Sequence, residues 1–526
     1  MPRTLLLLAK VLLILGVFAG NASAEMVYRR GNTAEPETLD PGKSSTTYEA
    51  NILSDLFEGL VASDARADII PGVAESWRKS GDDTIYTFTL RRDAAWSNGD
   101  PVTADDFVYS FRRLEDPATA AEYASMLYVV KNAEAINAGR MRPETLGVRA
   151  IDARTLEITL EAPTLYFLEM LTHQATSPVH RASIERLGAD WTKPGNLVSN
   201  GAFVLAERVP DDHIRIVRNP VFHDAAAVKL DAVVYYPTQD RSTAIKRFQA
   251  GELHSNDELP IEQLAELRRS FGDQIRTSPY LGIYYYHINL RKEPWSDVRL
   301  RRAISMALDR EFIANKVLAG VMFPAYGMVP AGVGLYEPYR ADYADMAQID
   351  REEEAARILR DLGYGPGNPL KLELRYDTSE NNANVGIAIQ EQLRPLGVDV
   401  SLFNTDAKTH YGYLDGGGDF DYARGGWIAD YKDPESFLGL ARRANGMNSG
   451  RYDDAEFERL MDAAAGAGAN PEQRMKLLAQ AEKRLVEQHG LMPLLFLSTH
   501  NIVSPKVKGW QDNVMNIHPS RFISIE

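Results

Sequence analysis

Cysteine is absent from all 526 residues. That excludes disulfides, thiolate metal sites, a cysteine nucleophile and lipid attachment to an N-terminal cysteine. Basic charge is also scarce: 58 basic side chains stand against 73 acidic ones, a formal net charge of −15. Without a basic cluster the chain has no electrostatic footprint for nucleic acid or for anionic lipid. Beyond residue 24 no apolar run approaches the roughly 20 residues that a spanning helix needs. Low-complexity linkers and internal repeats are missing too. Signatures of hydrolytic chemistry are equally absent. There is no G-x-S-x-G elbow, and none of the ten histidines is followed by Glu, so no H-E-x-x-H site exists. Gly42-Lys43-Ser44 has Glu37 where a phosphate loop needs its first glycine. No enzyme activity, metal or cofactor is expected.

What is present begins at the N-terminus. Arg3 and Lys10 bracket a leucine run, Val11 to Phe18 is apolar apart from Gly16, and Ala22-Ser23-Ala24 follows. This order of charge, apolar stretch and small residues reads as a cleavable secretory signal, with cleavage expected after Ala24. Loss of Arg3 and Lys10 takes the net charge from −15 to −17. A mature product without a lipid tether is expected free in the periplasm of a Gram-negative cell. Its length exceeds what one core usually serves, so two or three domains are expected.

Periodicity places helices at Tyr48 to Leu60, after Thr103, at Glu380 to Leu396 and at Leu477 to Gln488. Thr103 with Asp106 reads as a capping-box variant, and Asp350 as the cap of a further helix stopped by Gly363. Alternation predicts strands at Thr84 to Leu90, at Leu156 to Leu160 and from Tyr280 to Asn289. Leu370 to Tyr376, the Glu380 helix and Val398 to Phe403 form a β-α-β run, which implies a parallel pair. Leu491 to Leu497 reads as a buried strand interrupted by Pro493. The overall class is α/β.

The most unusual segment is Phe420 to Tyr431, where an alternating strand runs into Gly425-Gly426, then Trp427, Ile428 and Asp430. Missing side chains let another backbone approach, Trp427 suits a side-chain pocket and Asp430 an α-ammonium. Arg424 is spaced to reach a carboxylate at the far end of a short peptide. The bland alternative is a glycine bulge, a core Trp and a turn Asp before Lys432-Asp433-Pro434. Tyr284, Tyr285 and Tyr286 point to both faces of a strand, so one face is core and the other a candidate pocket lining.

Long motifs carry a resemblance. They include Leu39-Asp-Pro41, Leu56-Phe-Glu-Gly-Leu60, Pro71-Gly-Val-Ala-Glu-Ser-Trp77 and Trp96-Ser-Asn-Gly-Asp-Pro-Val-Thr-Ala-Asp-Asp-Phe-Val-Tyr-Ser110. Asn200-Gly-Ala202, Pro324-Ala-Tyr-Gly327 and Gly426-Trp-Ile-Ala-Asp-Tyr431 complete them. Across essentially the whole mature sequence the chain resembles the periplasmic oligopeptide-binding proteins of the dipeptide/oligopeptide/nickel family. The resemblance implies a two-lobed periplasmic-binding-protein fold with an additional inserted domain (class II, cluster C type). Its expected parts are a discontinuous lobe (25–47, 173–281 and 496–526), the inserted domain (48–172) and a second lobe (282–495). Tyr280 to Asn289 and Pro493 to Asn501 are the expected hinges. It implies a monomer that delivers short peptides to an inner-membrane ABC permease, with a murein-peptide receptor as an alternative. Relatives that bind a nickel chelate, haem or a sugar are alternatives, and a secreted peptidase is a distant one. By the same resemblance Asp430 anchors an α-ammonium, and the backbones of Gly425 to Ile428 and of Glu35, Pro36 and Glu37 sandwich the peptide. Trp427 and Tyr109 line side-chain pockets, with Tyr284 and Tyr286 as further candidates. Two departures stand out. Asn382 replaces a histidine of the family pattern after Tyr376-Asp-Thr-Ser379, and the turn Asp415 to Asp419 is short and lacks a basic residue.

Overall fold

The computed structural model describes residues 25–467 and 470–526; the expected signal segment and its cleavage point lie outside them. Its largest element is an eleven-stranded mixed sheet. Two long strands, Ile275–Ile288 and Leu491–Val503, run antiparallel through its middle. On one side of this pair lie Tyr422–Ile428, Leu370–Asp377 and Val398–Thr405. On the other lie Ser255–Asn256, Val27–Asn32, Ala232–Pro237, His213–Arg218 and Phe203–Val209. The short strand Phe323–Pro324 adds to Leu491–Val503. The two long strands therefore carry the chain between two bodies of structure.

Each body has its own core. One gathers Leu372, Leu374, Ile389, Val400, Leu485 and Leu495, and the other Tyr28, Ile52, Phe107, Phe203 and Val233. The second core continues into a separate antiparallel sheet of Ala74–Lys79, Ile85–Leu90, Thr155–Thr159 and Val148–Asp152. In Ile85–Leu90 the period of two buries Tyr86, Phe88 and Leu90, as the alternation predicts. Helix Ala104–Glu115 covers this sheet and buries Phe107, Phe111 and Leu114. Its start is the capping device read from the sequence: the Asp106 carboxylate accepts from the Thr103 N–H at 2.8 Å and its hydroxyl at 2.9 Å.

The β-α-β unit forms as expected, with Leu370–Asp377 and Val398–Thr405 parallel in register around helix Glu380–Leu393. Several local expectations need correction. The helix expected over Tyr48 to Leu60 ends at Leu56, and the one expected from Leu477 begins at Pro471. The helix assigned to an Asp350 cap begins at Gln348, leaving Asp350 in its first turn, where a negative charge favours the helix dipole. The strand read as Leu491 to Leu497 continues to Val503 through Pro493. A register shift falls between Tyr284 and Tyr285, opposite Leu495 and Pro493, so the ladder is already irregular where the proline has no N–H to give.

Candidate functional site

Tyr422–Ile428 pairs along its length with Gly282–Ile288, but with Leu370–Asp377 only at Tyr422 and Ala423. From Arg424 onward its outer edge has no strand partner among the described residues. The Arg424 carbonyl on that edge accepts from His410 Nε2 at 2.9 Å. By strand alternation the same edge presents the N–H and C=O of Gly426 and Ile428. A free, short strand edge is the arrangement that an extended guest chain completes.

The two glycines have intramolecular reasons as well. A Cβ on Gly425 would lie 2.7 Å from the Tyr285 ring and 2.9 Å from His287 Nε2, so the residue opposite fills its space. A Cβ on Gly426 would meet the Arg424 guanidinium at 2.8 Å. Trp427 is half-buried against the core, its indole N–H held by Ser436 Oγ at 3.1 Å. Ile428 is 45% exposed and lines a cavity of about 320 Å³ together with Thr33, Asn51, Asp257, Tyr280 and Asn501. That cavity joins the Ile428 end of the strand to the loop that leads into Glu35, Pro36 and Glu37.

Asp430 follows at once. It is half-buried and has no hydrogen-bond or ion-pair partner among the described residues. Burial alone pushes its carboxyl up to about 6. The carboxylate is close enough to raise the phenols of Tyr123 and Tyr280, in both of which burial is the larger cause. Tyr123 packs on His173, ring centres 4.6 Å apart. Behind Asp430, Tyr431 stacks on Tyr166 at 4.9 Å and Lys432 pairs with Asp68 at 2.7 Å. A desolvated acid without a cation thus sits where the two bodies meet, a position suited to receiving a ligand's positive charge.

Arg424, at the other end of the strand, is already engaged. Its Nη1 reaches Asp377 Oδ1 at 3.1 Å and the Tyr411 hydroxyl at 2.5 Å, and its guanidinium lies 4.8 Å from the Tyr284 ring centre. Tyr284 and Tyr286 share this face and are buried, their hydroxyls 3.4 Å apart. Asn382 is buried at the start of helix Glu380–Leu393, where its Nδ2 donates to the Asp377 carbonyl at 2.9 Å. In the opposing body Arg208 holds the Glu35 carboxylate at 2.9 Å and the Pro36 carbonyl at 2.5 Å, and Glu49 accepts from the Glu37 N–H at 3.1 Å. The Glu35 backbone makes no hydrogen bond among the described residues. Tyr109 has its ring under Arg181, 5.3 Å away, and no hydrogen bond joins it to Asp430 or Arg424 among the described residues. The aromatic residues near Asp430 are Tyr123 and Tyr280. Tyr123 lies in an irregular stretch with no periodicity to mark it.

Two bodies joined by paired crossing strands, with an open strand edge and an unpaired acid between them, define a hinged solute-binding protein. Residues 68–449 match the profile of the bacterial extracellular solute-binding proteins, family 5 (middle region), and the chain belongs to that family. It is 39% identical over 515 residues to the periplasmic oligopeptide-binding protein OppA of Escherichia coli, covering 96% of this chain and 93% of the relative. It is 38% identical over 484 residues to the E. coli periplasmic murein peptide-binding protein MppA, covering 91% and 89%. The unliganded open form of MppA superposes with a TM-score of 0.87 at 37% identity, covering 96% of this chain and 98% of that one. A second MppA structure, at the same identity, covers 96% and 99% with a TM-score of 0.79. At equal identity the chain superposes better on the unliganded open form than on the second structure.

Proposed function

We propose that the protein is the periplasmic solute-binding component of an ABC transporter, capturing short peptides between its two bodies and delivering them to an inner-membrane permease. The observation that carries this reading is Asp430, a desolvated carboxylate without a partner beside an unpaired strand edge. An extended peptide supplies what each lacks: its α-ammonium pairs with Asp430, and its main chain pairs with Gly426 and Ile428. The family membership and the likeness to oligopeptide-binding and murein-peptide-binding proteins support the same class of ligand. A murein peptide also carries an ammonium, and the likeness to the murein peptide-binding relative supports it as the second reading.

Closure is a bending of the two long strands. Their pairing breaks between Pro279 and Ile283, opposite Ser498 and Phe496, which supports a pivot at the Tyr280 end of the expected hinge. The domain division proposed with it is at 47/48, 172/173, 281/282 and 495/496. The working form is a monomer, exported and cleaved after Ala24, and it returns its ligand intact. Mass spectrometry of whatever co-purifies with the protein from the periplasm tests the proposal. Short peptides are expected, and cell-wall peptides would select the second reading. A non-peptide solute would overturn both.

A further inference from the structure

The cation at the far end of the binding strand is already paired through its Nη1, while its Nε is buried without a hydrogen-bond partner. Arg424 and Asp377 form an ion pair at 3.1 Å, their side chains only 20% and 16% exposed. The Tyr411 hydroxyl shares the same Nη1, and the Tyr284 ring lies against the guanidinium. Asp377 is itself held. Asn382 Nδ2 donates to its carbonyl at 2.9 Å, while the Asn382 N–H is fixed by the Ser379 hydroxyl at the helix start. The neighbouring cation on the next strand, Arg375, is likewise paired, with Glu373 at 3.2 Å, and its guanidinium lies 4.2 Å from the Phe403 ring and 4.1 Å from that of Tyr413. A ligand carboxylate arriving here would either displace Asp377 or make a second anion share one guanidinium in a partly desolvated place, and both cost binding energy.

Resting on the peptide-binding reading above, we propose that Asp377 is a specificity-determining residue that neutralises Arg424, so that the site takes peptides with a free amino end and no required carboxylate at the other end. Asn382 is a positioning residue that acts through Asp377. The ligand class is therefore set by one end: an ammonium is demanded by Asp430, while a free acid, an amide or a chain continuing outward is accepted at Arg424.

The test is calorimetry with one short peptide in two forms, the free acid and the C-terminal amide, on the full-length mature protein. The wild type is expected to bind the two within threefold of each other. Asp377→Asn keeps the side chain's shape but removes its charge. It should favour the free acid at least tenfold, by tightening acid binding rather than by weakening the amide. Arg424→Gln removes the ion pair and leaves the Asp377 charge unpaired, so it should weaken the free acid more than the amide. A wild type that already prefers the acid tenfold, or an Asp377→Asn protein whose acid-to-amide ratio is unchanged, would overturn the proposal. If the wild type binds neither form, the peptide reading itself falls, an outcome distinct from a preference for one form.

Discussion

Asp430 and Arg424 lie six residues apart on the same run of chain, and their environments are opposite. Asp430 is withdrawn from water with nothing to pair with, so its carboxyl sits at about 6. Arg424 is withdrawn from water with a carboxylate, a hydroxyl and an aromatic ring around it. One end of the strand lacks any partner without a ligand; the other has its charge already paired, although the Arg424 Nε is left without a hydrogen bond. The difference teaches that burial alone does not mark a binding residue; an unmet charge does. Both ends share the same edge, where Gly426 and Ile428 offer main-chain pairing. Ligand orientation then follows from a single electrostatic contact.

Asp430→Ala removes the contrast altogether. Binding of a short peptide is expected to weaken by about 2–5 kcal/mol, because the ligand's ammonium is left desolvated and unpaired; titration calorimetry reads this directly. Gly425→Ala breaks the strand between the two ends. Its Cβ would press on the Tyr285 ring and His287, so urea unfolding should show a loss of about 1–3 kcal/mol. Titration sharpens the comparison without mutation. Burial raises the Asp430 carboxyl, so the acid is ionised above about pH 6 and neutral below it. Peptide affinity should fall about tenfold between pH 7 and pH 5, and Asp430→Asn should flatten the profile. Arg424 keeps its charge over that range and contributes no slope. The smallest effect is expected from Lys432→Ala. Its pair with Asp68 joins the two bodies but is largely exposed on the Asp68 side, so affinity should change by less than about 1 kcal/mol.

Much of the architecture was legible because it is local. Alternation located Ile85–Leu90, the Thr103–Asp106 spacing located a helix start, and the β-α-β run gave a parallel pair that the register confirms. The long strand through Pro493 was cut short in the reading because its irregular ladder depends on Tyr284 and Tyr285, some 200 residues earlier in the chain. The site was legible in part for the same reason. Gly425, Gly426, Trp427, Ile428 and Asp430 are contiguous and carry a pattern. The surroundings of Asp430 come from Tyr123 and Tyr280, and the partner of Arg424 from Asp377, which only the folded topology brings near. Tyr109 lies on helix Ala104–Glu115 with its ring against Arg181.

The most direct measurement is a calorimetric cycle at pH 7.5 that pairs a short peptide and its N-acetylated form with the wild type and with Asp430→Asn. If Asp430 holds the ligand's ammonium, acetylation should cost the wild type about a hundredfold in affinity, within the range for a buried charge pair. The same change should cost the variant less than threefold. Equal affinity of the wild type for the free and acetylated peptides would contradict the account.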